Sequence, residues 1–134
     1  MDFHTFVRAR DNVHAMRIEE FFQGRRPARE MFDAVTKMMA RLGRFETRIG
    51  KSQIAFTRTH AFAWIWCPDR YLRGPDVAPL VLSVSLPARD PSPRWKEIVE
   101  PAPGRFMHHL ELRSPADLDD DIADWLRRAY DCAS

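Results

Sequence analysis

Arg105-Phe106-Met107-His108-His109-Leu110-Glu111-Leu112-Arg113, then Ser114-Pro115-Ala116-Asp117, then a run closing on Trp125-Leu126-Arg127-Arg128-Ala129-Tyr130, decides the architecture. The first block alternates with a period of two, setting Phe106, His108, Leu110 and Leu112 against His109, Glu111 and Arg113, as a half-buried strand does. Beyond it, Leu118, Ile122, Trp125, Leu126, Ala129 and Ala133 recur at helical spacing and make one apolar stripe. Ser114 stands at an N-cap position, Pro115 at the first helical position and Asp117 at the third, the pattern of a capping box. Asp117, Asp119, Asp120 and Asp121 crowd the helix start and Arg127 and Arg128 its end, as the helix dipole favours. A strand therefore runs into a helix that is expected to open at Ser114.

Working back from this stretch, residues 1–15 show no period and read as an N-terminal arm, with one α+β domain over residues 16–134. Met16 to Gln23 fits a short helix closed by Gly24, and Pro27 opens a second helix. Met31, Val35, Met38 and Leu42 form its buried row, and methionines at that spacing read as core filler. After Gly43 the period changes to two. Phe45–Ile49 reads as a strand. Gln53–Trp66 alternates for too long to be one flat strand, so a bend or bulge is expected near Arg58-Thr59-His60. Leu80–Leu86, Trp95–Val99 and the strand from Arg105 complete the set, separated by Pro- and Gly-rich breakers. The order predicts a two-layer α+β fold: an antiparallel sheet of four to five strands with two N-terminal helices and one C-terminal helix packed on one face.

The alternation sorts the sheet into two faces. Ile54, Phe56, Phe62, Trp64, Leu82, Val84, Phe106, Leu110 and Leu112 share the bulky parity, which should meet the helices. Ala55, Thr57, Ala61, Ala63, Ser83, Ser85, His109, Glu111 and Arg113 share a smaller, more polar parity, which should be left open. His108 falls on the apolar side as a core histidine. His109 falls on the open side, where Glu111 two residues on could orient its ring for proton transfer or phosphate contact.

Net charge is +2, with 45% apolar and 30% charged residues among 134, the make-up of an ordinary globular domain. The basic residues concentrate between Arg41 and Arg73, and the acids gather after Asp117. A basic middle can attract nucleic acid or another anionic ligand. No apolar run approaches membrane-spanning length, and Asp2, His4, Arg8 and Asp11 do not read as a signal peptide. Cys67 and Cys132 lie far apart without C-x-x-C spacing, which reads as free thiols and a cytoplasmic address. No H-E-x-x-H, G-x-S-x-G or phosphate-cradling glycine loop is present, so no catalytic residue, metal ligand or cofactor is assigned. Asp119, Asp120 and Asp121 on successive helical positions would fan around the axis rather than converge on one cation.

Lys51-Ser52-Gln53-Ile54-Ala55-Phe56, Met107-His108-His109-Leu110, Arg113 to Asp120 and Trp125 to Tyr130 together resemble the bacterial family called domain of unknown function 5655, from about Ile18 to Asp131. The resemblance implies a two-layer α+β build and no established activity. Relatives include stand-alone proteins and pieces attached to restriction-type nucleases and DNA-associated proteins. It also implies that Phe6, Arg8, Asn12 and His14 are the remnant of a zinc-ribbon-like segment, with Met16 where a cysteine would stand.

Function is then expected to be that of a binding module, an accessory contacting nucleic acid or another anionic ligand through a basic rim and an exposed sheet face. Lys51, Arg58, Arg105 and His109 are its candidate ligand-binding residues. A protein-interaction or homodimerisation module, and a small-molecule enzyme using His109 with Glu111, are the alternatives.

Overall fold

The computed structural model describes residues 17–134; the proposed remnant at Phe6 to His14 lies outside them. The chain runs α1 (Ile18–Phe21), α2 (Arg26–Ala40), β1 (Glu46–Ile49), β2 (Ile54–Thr57), β3 (Ala61–Trp66), β4 (Leu80–Leu86), β5 (Glu97–Ala102), β6 (Arg105–Leu112) and α3 (Asp120–Cys132), with single 3-10 turns at Pro68–Arg70 and Pro115–Asp117. The strands form one sheet in the order β1-β2-β3-β4-β6-β5, every neighbouring pair antiparallel. This is the expected α+β class, with six strands rather than four to five. The long alternating segment is two strands: Arg58 N–H donates to the His60 carbonyl at 3.0 Å and turns the chain back on itself.

All three described α-helices bury against the same sheet face. α2 presents Ala28, Met31, Phe32, Val35 and Met39 inward, and Phe32 stacks 6.3 Å from Phe56 of β2. Phe22 bridges Phe21 and Phe32 at 4.8 and 5.1 Å, so the aromatic contacts join α1, α2 and the sheet. α3 presents Ile122, Trp125, Leu126, Ala129 and Tyr130; Tyr130 meets Phe62 edge-on at 5.5 Å. Each such ring, fully buried, stabilises by about 1.5–3 kcal/mol relative to exposure.

The C-terminal helix begins later than its cap signals suggest. The Asp117 carboxylate accepts the backbone N–H groups of Arg113 at 2.8 Å and Ser114 at 3.2 Å, but the turn it closes is a single 3-10 turn. Leu118 then turns extended, with ψ near 96°. Asp119 is the true N-cap, accepting Ile122 N–H at 3.2 Å. Two acids, Asp119 and Asp121, also reach the same guanidinium, that of Arg94, at 2.8 and 3.7 Å. The three aspartates do not all fan into solvent, because Asp119 lies outside the helix.

Candidate functional site: the open face of the sheet

Cross-strand partners point to the same side of a sheet, so the register fixes what the face opposite the described helices carries. One transverse row crosses all six strands: Arg48 pairs with Ala55, Ala55 with Trp64, Trp64 with Ser83, Ser83 with His109 and His109 with Glu97. A parallel row holds Trp66, Val81 and Glu111. The next residues along, Ile54, Ile65, Leu82 and Leu110, belong to the core under the helices.

Trp64 and Trp66 are thus on the face turned away from the described helices, the reverse of the parity expectation, and Ala55, Val81 and Ser83 beside them are buried. The cause is local. Between β2 and β3 the pairing slips from Phe56–Ala63 to Thr57–Ala61, leaving Phe62 as an extra residue. Such a bulge flips every side chain beyond it. Phe62 still packs under α3, but Ala63 and Ile65 now face the helices and the tryptophans do not. Trp64 is buried among its neighbours while Trp66 is partly exposed. The bend was expected at Arg58-Thr59-His60; the slip falls just after it.

At the centre of the face, Ser83 Oγ lies 2.6 Å from His109 Nδ1. His109 Nε2 has no hydrogen-bond partner among the described residues. Burial holds the His109 pKa below the usual imidazole value, with Glu97 pulling it up and His108 pushing it further down. Its partner is Ser83 on the neighbouring strand and its nearby acid is Glu97. Glu111 instead stands 3.7 Å from Arg113.

The candidate cations do not gather at one point. Lys51 is exposed in the β1–β2 turn at one end of β2. Arg58 follows the other end of β2, and its guanidinium is already engaged: Nη1 donates to the Tyr130 carbonyl at 2.9 Å and the group lies 4.0 Å from the Tyr130 ring centroid. Arg105 is exposed at the start of β6, at the Arg58 end of the sheet and three strand positions away. Arg58 is a packing residue, whereas Lys51 and Arg105 project into solvent.

On the helix side, His108 is the expected core histidine, fully buried. Its Nδ1 lies 3.1 Å from the Phe106 carbonyl, and Nε2 accepts Asp90 N–H at 3.0 Å. That pair of bonds selects the neutral tautomer protonated at Nδ1. Burial lowers the His108 pKa, outweighing the opposing pull of its backbone bonds. Asp90 is a hub that the sequence did not advertise. Burial would raise its pKa, but the Trp95 indole N–H at 3.0 Å and the Ser92 N–H at 3.1 Å hold the carboxyl below its usual range. Cys67 is likewise buried, which pushes its thiol up to about 11 and makes it a poor nucleophile. Among the described residues no three His, Cys, Asp or Glu side chains come together as a metal would require, and no helix is long and apolar enough to cross a membrane.

Fold and surface together define an α+β domain whose antiparallel sheet carries its three described helices on one face. Residues 18–133 match the family described as Domain of unknown function (DUF5655). The chain belongs to that family. No curated protein and no solved structure matches it.

Proposed function

We propose that the domain is a binding module that contacts nucleic acid or another anionic ligand along the sheet face turned away from the described helices. The observation that carries this reading is the placement of Trp66, partly exposed, on the same face as the half-buried His109. Aromatic rings beside hydrogen-bonding groups suit a ligand with both flat apolar surface and negative charge. Lys51 and Arg105, both exposed, supply positive charge at the two ends of that face. His109 offers a ring nitrogen at its centre, with the Ser83 hydroxyl fixing the imidazole plane. Of the acids on this face, Glu46 lies 2.6 Å from Arg48 and Glu111 3.7 Å from Arg113, while Glu97 stands across from His109 with no ion pair among the described residues. A cytoplasmic setting is consistent with the free thiols of Cys67 and Cys132.

Fluorescence anisotropy with labelled oligonucleotides and with inorganic polyphosphate, over a series of salt concentrations, tests the proposal. Affinity should fall steeply as salt rises, because bound phosphates release counterions. Failure to bind either class of polyanion at low salt would overturn it.

A further inference from the structure

We infer that the ligand of this face is single-stranded nucleic acid, its bases stacked on Trp66 and Tyr71 and its phosphates met by Lys51 and Arg73. The inference rests on the binding-module reading above and narrows its ligand class. Tyr71 and Leu72 are the most exposed large apolar side chains described, at 64% and 57%. Tyr71 does not dangle: its ring centroid lies 6.4 Å from that of Trp66, the planes inclined at 57°. Two rings tilted in this way present separate faces, each suited to one base rather than to a base sandwiched between them.

The loop after β3 is pinned on both sides of this pair. Arg70 donates to the Phe21 carbonyl at 3.1 Å and lies 4.9 Å from the Phe21 ring centroid. Asp69 accepts from Arg25 at 2.8 Å, and the Asp76 carbonyl accepts from Arg113 at 2.9 Å. Tyr71, Leu72 and Arg73 are held out between those anchors. Such anchoring lowers the entropy lost when a ligand engages them. On the other side of Trp66, β2 pairs so that Ile54 faces Ile65, which brings the β1–β2 turn with Lys51 to the same end of the sheet. Lys51 and Arg73 are both exposed and have no ion-pair partner among the described residues; of the loop's two acids, Asp69 is occupied by Arg25 and Asp76 is exposed, so Lys51, Arg70 and Arg73 outnumber the one acid left unpaired. The patch is therefore positive around two aromatic rings. A duplex hides its base faces in its own stack, and a simple polyanion has none. A single strand offers both base faces and phosphates.

The test compares three probes on the full chain: a fluorescein-labelled oligothymidylate, a duplex of equal length, and inorganic polyphosphate of matched charge. The single strand should bind at least about tenfold tighter than the other two and quench tryptophan emission. Tyr71→Ala should weaken it by about tenfold with an unchanged melting temperature, since Tyr71 is exposed. Trp66→Phe should keep most of the affinity and Trp66→Ala should lose it. Equal binding of all three probes, or unchanged affinity in Tyr71→Ala, overturns this inference and leaves the broader anionic reading in place. No binding of any probe overturns both. A concentration-dependent dimer dispersed by Tyr71→Ala assigns the rings to a second copy of the chain and overturns the single-strand assignment.

Discussion

Ser83 Oγ and His109 Nδ1 meet at 2.6 Å across the β4–β6 pair, so the central histidine of the open face is oriented by a hydroxyl on another strand. Where the hydroxyl donates to Nδ1, the neutral ring carries its proton on Nε2, the nitrogen with no partner among the described residues; the other neutral tautomer donates Nδ1–H to the hydroxyl. Protonation of the first form reverses the bond: Nδ1–H then donates to Ser83 Oγ. The pair therefore tolerates both charge states without moving the ring. Burial, the largest influence on this group, keeps the neutral form in place below the usual imidazole pKa.

Removing that hydroxyl should release the tautomer. In Ser83→Ala the His109 ring nitrogens, followed by long-range nitrogen–proton correlation, should shift from the pattern the Ser83 bond imposes toward a mixture of tautomers. The loss of stability should be about 1 kcal/mol, the ordinary net worth of one hydrogen bond. An unchanged nitrogen pattern would show that Ser83 does not set the ring.

His108 makes stability depend on pH. Its folded pKa is depressed below the ordinary 6.5 by burial, so between those two values the unfolded chain binds a proton that the folded chain does not. Stability should be flat above about pH 7 and fall as pH drops through the interval below 6.5. His109, also depressed, acts in the same direction. Urea titrations at stepped pH should show this slope, and His108→Gln should remove a large part of it while lowering stability throughout, since it disturbs the bond from Asp90 N–H. A slope that survives intact in that variant would exclude His108 as its source.

Arg58 separates packing from binding. Its bond to the Tyr130 carbonyl and its place over the Tyr130 ring tie the β2–β3 turn to α3. Arg58→Ala should lower unfolding free energy by about 1–2 kcal/mol and leave oligonucleotide affinity nearly unchanged. Lys51→Ala should do the opposite, weakening binding and its salt slope without moving the melting temperature. Should Arg58→Ala abolish binding at full stability, the packing assignment fails.

Much of this fold was legible because local signals agreed with one another. Pro27 and the Met31-Val35 spacing marked α2, and Leu80–Leu86 stood out by its alternation and the proline after it. The start of α3 was misplaced because Ser114 and Asp117 cap a turn just as well as they would cap a helix, and nothing near Leu118 announces its extended backbone. The tryptophans were assigned to the wrong face because one unpaired residue, Phe62, inverts a period-two pattern without altering composition. Ser83 and His109 were both placed on the open side, but their bond depends on β6 lying beside β4, a non-local pairing. For Arg58, sequence shows a charge and cannot show that Tyr130 already engages it.

Gly43 and Tyr130 give a test of how tightly the helix layer is seated. Gly43 has φ near 141°, a backbone region that side chains avoid. A methyl added there would collide with the Tyr130 hydroxyl. That hydroxyl donates to the Arg44 carbonyl at 2.9 Å and so fastens α3 to the chain entering β1. Gly43→Ala should thus lose about 2–3 kcal/mol through strain and displacement of the bond together. Tyr130→Phe alone should lose about 1 kcal/mol, the bond but not the ring packing against Phe62. The double variant should lose less than the sum of the two, because removing the hydroxyl clears the worst of the collision and leaves the backbone strain with a tighter contact to the ring Cζ. Chemical denaturation of the four proteins supplies the cycle, and strict additivity would mean that the Gly43 requirement comes from its backbone alone.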